Sequence, residues 1–259
     1  MGPLLIAIKP RRALSSYVRR VPTAALIEAA CAPSLDLDAR SLRARIASAM
    51  SIRGRLRAQP GYQPLRGRHL ALLTSADEPQ APAPLQHAAT ALGARVAQVR
   101  HWNSGDDDTE LARLGRALGR LYDAIDGPAL APRTLVLLRQ SAGVPVYDGL
   151  DGELHPLRAL AALMLLLDRP RASDAPPWVV RMQWNHAGSE LARAFAAGAA
   201  ALGTVRVSEE DDSPPDLVFG PCGLSWADGR PDASLDEASR AANHRALIQA
   251  LLIETIGKA

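Results

Sequence analysis

The chain has 259 residues, 47% of them hydrophobic and 22% charged, with a formal net charge of +3. That length suits one large domain or two smaller ones around an ample core. The positive charge is nearly all arginine, with Lys9 and Lys258 the only lysines. No basic block carries interleaved aromatics, which gives nucleic-acid binding little support. Two cysteines, Cys31 and Cys222, make no disulfide framework and fit a reducing cytoplasm. The longest apolar run, 159–167, is too short to cross a bilayer.

In chain order, residues 1–34 hold Lys9, Arg11, Arg12, Arg19 and Arg20 with no acid among the first twenty. This resembles a transit peptide but lacks an apolar core and a small-residue cleavage site, so an extension packed on the body is the simpler reading. A helix is expected over 34–56, where Leu42, Ile46, Met50 and Ile52 fall near helical spacing and Ser34 or Asp36 offers a cap. Strands follow at 69–74 and 95–100, separated by a proline-dense loop, 75–84, and a helix, 85–94, that stops near Gly93. An acidic loop, 101–110, leads to a helix at 111–121 and short strands at 121–125 and 143–147.

The segment Ala142 to Asp168, AGVPVYDGLDGELHPLRALAALMLLLD, organises the chain. It reads as a buried valine-rich strand, a turn with two Asp-Gly pairs, and a helix of apolar helix formers opened by Pro156. His155 then stands at the tip of a strand-to-helix loop, where α/β sheets place ligands. Beyond it come strands at 176–184, 204–208 and 216–220, helices at 188–203 and about 235–256, and an acidic loop at 209–215. Strands alternating with helices predict an α/β fold of parallel sheets.

Five segments carry a family resemblance in one order: LGRALGRLYDAI, AGVPVYDGLDGELHPLRALAALM, WNHAGSELARAFAAGAAALG, FGPCGLSWADG and EASRAANHRALIQALL. They resemble the ornithine and aspartate carbamoyltransferases over residue 35 to the end. The resemblance implies two lobes, each a parallel sheet flanked by helices. An N-terminal extension (1–34) would precede a carbamoyl-phosphate lobe (35–154 plus the helix within 235–259). The amino-acid lobe (155–234) is shortened, because the family's long Ser-Met-Gly segment is missing before FGPCGL. It also implies a homotrimer, or a hetero-oligomer with a paralogue.

The chemistry expected of the family does not carry over whole. Its Ser-Thr-Arg-Thr-Arg motif holds a phosphate dianion at a helix N-terminus by free N–H groups and arginines. Here Glu78-Pro79-Gln80-Ala81-Pro82 takes that place, and Asp77 and Glu78 face the anion instead. Like charges about 4 Å apart repel by roughly 1 to 4 kcal/mol, so Glu78 and Gln80 can only line a changed pocket. Pro128 stands near the family's loop arginine, and Asn243-His244 replaces Asn-Arg, with Arg245 turned about 100° further round the helix. His155 is retained at the family's histidine, which helps polarise the carbamoyl oxygen, and Arg158 replaces a glutamine.

Each remaining candidate has two readings. His155 and Arg158 are either a loop histidine and a surface arginine, or a re-purposed anion site with Arg158 forking a carboxylate or phosphate. Asn185 and Ser189 match retained positions on the amino-acid side, and Asn185 either meets a substrate carboxylate or caps the next helix. Cys222 is either packed or a reactive thiolate beside His155 and Arg158. No cluster has metal-ligand spacing and no phosphate-loop motif is present, so neither metal nor cofactor is expected. The expectation is a cytoplasmic pseudoenzyme-like protein of amino-acid metabolism that binds a small carboxylate or amino acid, or a divergent transferase acting on one.

Overall fold

The computed structural model describes residues 38–74, 84–99, 107–127, 130–170, 172, 174–183, 190–208, 214–220, 223–232 and 235–257. The first sheet contains β1 (His69–Leu73), β2 (Arg95–Val99), β3 (Ala124–Asp126) and β4 (Val146–Tyr147) in the order β2-β1-β3-β4, every pair parallel. Parallel strands joined by crossovers need cover on both faces, and β1 is buried from Leu70 to Leu73 accordingly. Leu70, Leu72 and Ala124 pack with Leu85, Ala88 and Ala89 of α2 (Pro84–Ala91). Ala71, Leu73, Ile125 and Val146 form a second cluster with α3 (Asp108–Leu121) and α4 (Pro132–Ala142).

The second sheet contains β5 (Trp178–Met182), β6 (Val205–Ser208), β7 (Leu217–Gly220) and β8 (Gly223–Trp226), ordered β6-β5-β7-β8. Its pairs are parallel except β7–β8, which run antiparallel. Residues 223–226, within a segment that resembles a family loop, form this edge strand instead, and its first residue, Gly223, sits at φ +97°, a conformation that favours glycine. One face joins the core: Val180, Val205, Leu217, Phe219, Leu224 and Trp226 are buried. Phe219 stacks on Phe195 of α6 (Glu190–Leu202), centroids 4.3 Å apart. The alternate residues Val179, Arg181 and Val218 are only half-buried, and Arg206 and Ser225 are exposed. Among the described residues, this face joins no hydrophobic cluster.

Four helices bind the sheets into one body. α5 (Pro156–Leu167) is buried at every position from Pro156 to Leu166 except Arg158, so it is a core helix rather than an amphipathic one. It packs against α6 and α7 (Glu237–Ile256), and α1 (Ala39–Ala58) packs on α7 and α6. Arg53 of α1 forks Asp168 at the end of α5 (2.6 and 2.5 Å) and meets Asn243 of α7.

Local chemistry sets the ends. The helix expected from residue 34 starts at Ala39, because Asp38 caps it through the Arg40 and Ser41 N–H groups; Ser34 and Asp36 lie outside the described residues. α3 begins at Asp108 inside the expected acidic loop, where first-turn acids complement the helix dipole. α7 begins at Glu237, two residues later than expected, on an Asp236 cap. α4 is an element the periodicity did not predict; Pro132 opens it and Gly143, at φ +68°, ends it.

α3 and α4 approach so closely that a side chain at Gly119 meets the Ala142 carbonyl. Backbone cannot yield as a side-chain tip can, so Gly119→Ala is expected to cost about 1–3 kcal/mol by overpacking. Urea denaturation followed by circular dichroism measures it, with Gly54→Ala, which meets nothing within 4 Å, as the tolerated control.

Candidate functional site

Each sheet has a point where the strand order reverses. In the first, β1 lies between β2 and β3; in the second, β5 lies between β6 and β7. Open α/β sheets bind ligands beyond the carboxyl ends of the strands flanking such a point. Those ends carry Thr74 and Asp126 in the first sheet and Met182 and Gly220 in the second. The loop 148–155, leaving β4, connects the two regions before it enters α5.

That loop is held by carboxylates. Asp126 is fully buried and accepts from the Leu150 N–H at 3.1 Å, and the Gly149 N–H also faces it. Burial pushes its carboxyl up to about 7 against those hydrogen bonds, with Asp151 and Asp148 adding repulsion. Asp151 accepts from the Leu85 N–H through both oxygens, at 2.8 and 3.0 Å, so it seats a carboxylate on the N-terminus of α2. Burial raises its pKa as well. Tyr147, bonded to Thr255, is pushed up to about 12 by burial.

His155 is the N-cap of α5: its Nδ1 accepts from the Leu157 N–H at 3.2 Å, an arrangement that leaves the ring proton on Nε2. It is buried, and desolvation, then the charges of Arg158 and Arg45, lower its pKa to about 4. His244 on α7 is 3% exposed, and its Nε2 has no hydrogen-bond partner among the described residues. Burial, then Arg158 and His155, hold it down to about 3 against a hydrogen bond with the Leu150 backbone. Both imidazoles are therefore neutral at pH 7. Arg158 is the cation beside them, its Nε on the Gly152 carbonyl (3.0 Å) and its Nη2 on that of Asp151 (3.2 Å).

Arg158 also lines a cleft of about 370 Å³ with Glu153, Leu191, Phe219, Gly220, Gly223, Glu237 and Arg240. Its walls come from the entry to α5, the carboxyl end of β7, the start of β8 and the first turn of α7. The structure thus brings His155, Arg158 and His244 together. Arg245 is exposed, on another side of α7 from its buried neighbour His244. Glu78, Gln80, Asn185, Ser189 and Cys222 lie outside the described residues. Sequence reasoning passed over Asp126, Asp151 and Arg240. Asp151 belongs to the second Asp-Gly pair, a signal read only as a turn, and nothing in the spacing of Arg240 marks it. Among the described residues, no group of three or more His, Cys, Asp or Glu side chains is placed to hold a metal ion. No described helix is long and apolar enough to cross a membrane.

Two parallel-dominated sheets bridged by core helices define a carbamoyltransferase-like α/β fold. The chain is similar to ornithine carbamoyltransferase from Pyrococcus furiosus at a TM-score of 0.63 and 16% identity, over 86% of this chain and 95% of that one. For the ornithine carbamoyltransferase of Burkholderia thailandensis the values are 0.62 and 13%, over 86% and 98%. The catalytic subunit of M. jannaschii aspartate transcarbamoylase gives 0.61 and 12%, over 86% and 96%. No family model matches the sequence.

Titration follows from these environments. Unfolded histidines titrate near 6.5, so below that pH the unfolded chain takes protons that folded His155 and His244 refuse, and stability falls as pH drops towards 4. Asp126 acts oppositely: folded, it keeps its proton up to about 7, so it favours the folded state as pH falls towards 3.8. Asp126→Asn removes that opposing proton while keeping an acceptor for Leu150. Between pH 4.5 and 6.5 its stability should rise with pH more steeply than wild type, by about 1.4 kcal/mol per pH unit. Urea midpoints at three pH values test this.

Proposed function

We propose that this protein uses a carbamoyltransferase fold to bind a small carboxylate in the cleft beside Arg158, as a metabolite-binding or partner subunit that does not transfer carbamoyl groups. One observation carries the reading. The N-terminus of α2 follows the stretch that replaces the family's Ser-Thr-Arg-Thr-Arg motif, and it is occupied by the protein's own Asp151 carboxylate. A helix N-terminus attracts an anion through its free N–H groups and dipole. An incoming phosphate dianion would have to displace Asp151, with Asp77 and Glu78 adding negative charge in the preceding stretch.

The imidazoles support the same reading. A carbamoyl phosphate site needs fixed positive charge, and His244, standing where the family has an arginine, is neutral and buried. Arg158 remains, with two of its five N–H donors committed to backbone carbonyls and the others available to a carboxylate. The retained His155 is the feature that favours a divergent transferase instead.

Purified protein mixed with carbamoyl phosphate and either ornithine or aspartate is expected to release no phosphate above the uncatalysed rate. Turnover with either amine would overturn the proposal and establish the transferase. Asp151→Ala removes the cap on α2 and should cost about 1 kcal/mol in thermal denaturation. A trimer or a mixed oligomer with a paralogue, as the resemblance implies, is tested by light scattering of the purified protein.

A further inference from the structure

From Ala39 to Arg68 the chain holds eight arginines and no acid. Three of them face carboxylates from other elements: Arg45 meets Glu254, Arg53 meets Asp168 and Arg68 meets Asp123. The other five, Arg40, Arg43, Arg55, Arg57 and Arg66, are exposed. None of the five makes an ion pair among the described residues. Arg43 gives its Nε–H to the Ala39 carbonyl of its own helix, at 3.2 Å. Charge is segregated along the whole sequence as well. Residues 1–68 carry 13 Lys and Arg against 3 Asp and Glu, whereas residues 69–259 carry 17 against 24.

Helical spacing gathers what the sequence scatters. At 3.6 residues per turn, Arg40, Arg43 and Arg55 fall on the side of α1 opposite its buried stripe of Leu42, Ile46, Ala49 and Ile52, and Arg57 falls on the flank. Arg40 and Arg55 stand about 22 Å apart along the axis. The other exposed residues between them, Ala44, Ala47, Ser48, Ser51 and Gly54, are small and leave the helix open to close approach. Helix stability does not require this arrangement. Arg55 and Arg57 suit the negative end of the helix dipole, but Arg40 stands in the first turn, where a cation is disfavoured and no acid accompanies it.

The face selects its partner by what it lacks. It has no exposed large apolar residue to anchor a protein interface or to enter a membrane, and the apolar stripe of α1 is buried in the core. Stacking of single-stranded bases needs an open aromatic ring, and Tyr62 is half-buried, with the Arg55 guanidinium 5.9 Å above its ring. Fixed positive charge remains, and that is what a phosphate backbone binds. A duplex presents one charge per about 1.7 Å of its axis, or about a dozen over the length of this face.

We propose that the outward face of α1 binds the phosphate backbone of a nucleic-acid duplex, without reading its bases. The surface is separate from the Arg158 cleft, and its test is independent of the carboxylate reading.

Fluorescence anisotropy of a labelled DNA duplex of about 20 base pairs, titrated with the full chain between about 50 and 200 mM salt, is the experiment. With the four arginines of α1 displacing counterions, log K should fall against log salt with a slope of about −3 to −4, which is about a hundredfold across that range. Arg43→Gln combined with Arg55→Gln should make the slope shallower by about 2. Both side chains are exposed, so circular dichroism should not change. Arg113→Gln combined with Arg116→Gln, two exposed arginines of α3, should leave the slope as it is. No binding at about 50 mM salt, an unchanged slope in the α1 double variant, or an equal change in the α3 variant overturns the proposal. Tighter binding of a single strand, or of polyglutamate of matched charge, also overturns it and assigns the face to single strands or to an acidic protein.

Discussion

The burial of α5 is the constraint on which the rest depends. Ten of its twelve residues are removed from solvent, and each fully buried aliphatic side chain contributes about 1.5–3 kcal/mol. A helix this apolar has no outer face, so it must be enclosed, and α6 and α7 enclose it. Gly198 of α6 makes that possible, since a side chain there would strike Leu163. Once α5 is fixed, its N-terminus is fixed, and with it His155, Arg158 and the loop back to β4. The position of the candidate site follows from core packing.

The same packing governs the electrostatics. Loop 148–155 is pinned by one carboxylate below it, Asp126, and pins α2 with another of its own, Asp151. Carboxylates in such surroundings are costly unless hydrogen-bonded, and both use backbone N–H groups. The neighbouring histidines avoid the cost by staying neutral. Positive charge in the cleft is thereby left to arginines, which do not give up their protons at physiological pH, beside the acids Glu153 and Glu237. The two sheets differ in parallel fashion. In the first, β3, β4 and β1 from Leu70 onward are buried on both faces, whereas the second presents half-buried Val179, Arg181 and Val218 on the side away from the core.

Much of the architecture was legible because it rests on periodicity. The valine-rich strands and the unbroken apolar run of α5 needed no tertiary information. α4 was missed although Pro132 and Gly143 bracket it, because its apolar residues cluster as LVLL rather than recurring at helical spacing. β8 was missed because its antiparallel pairing with β7 lies inside a segment that resembled a family loop. Of the site, His155, Arg158 and His244 could be placed from their neighbours in sequence. Asp126, Asp151 and Arg240 could not, since their roles come from partners at Leu150, Leu85 and Gly223, far away along the chain.

His155 shows where such double duty leads. The imidazole nitrogen that faces its own helix is spoken for by the Leu157 amide. The opposite edge of the ring therefore carries hydrogen, whatever lies across from it. Helix geometry, rather than the acidity of the medium, decides that this edge gives a proton bond and never takes one. A group packed against that edge is sorted by whether it brings a lone pair.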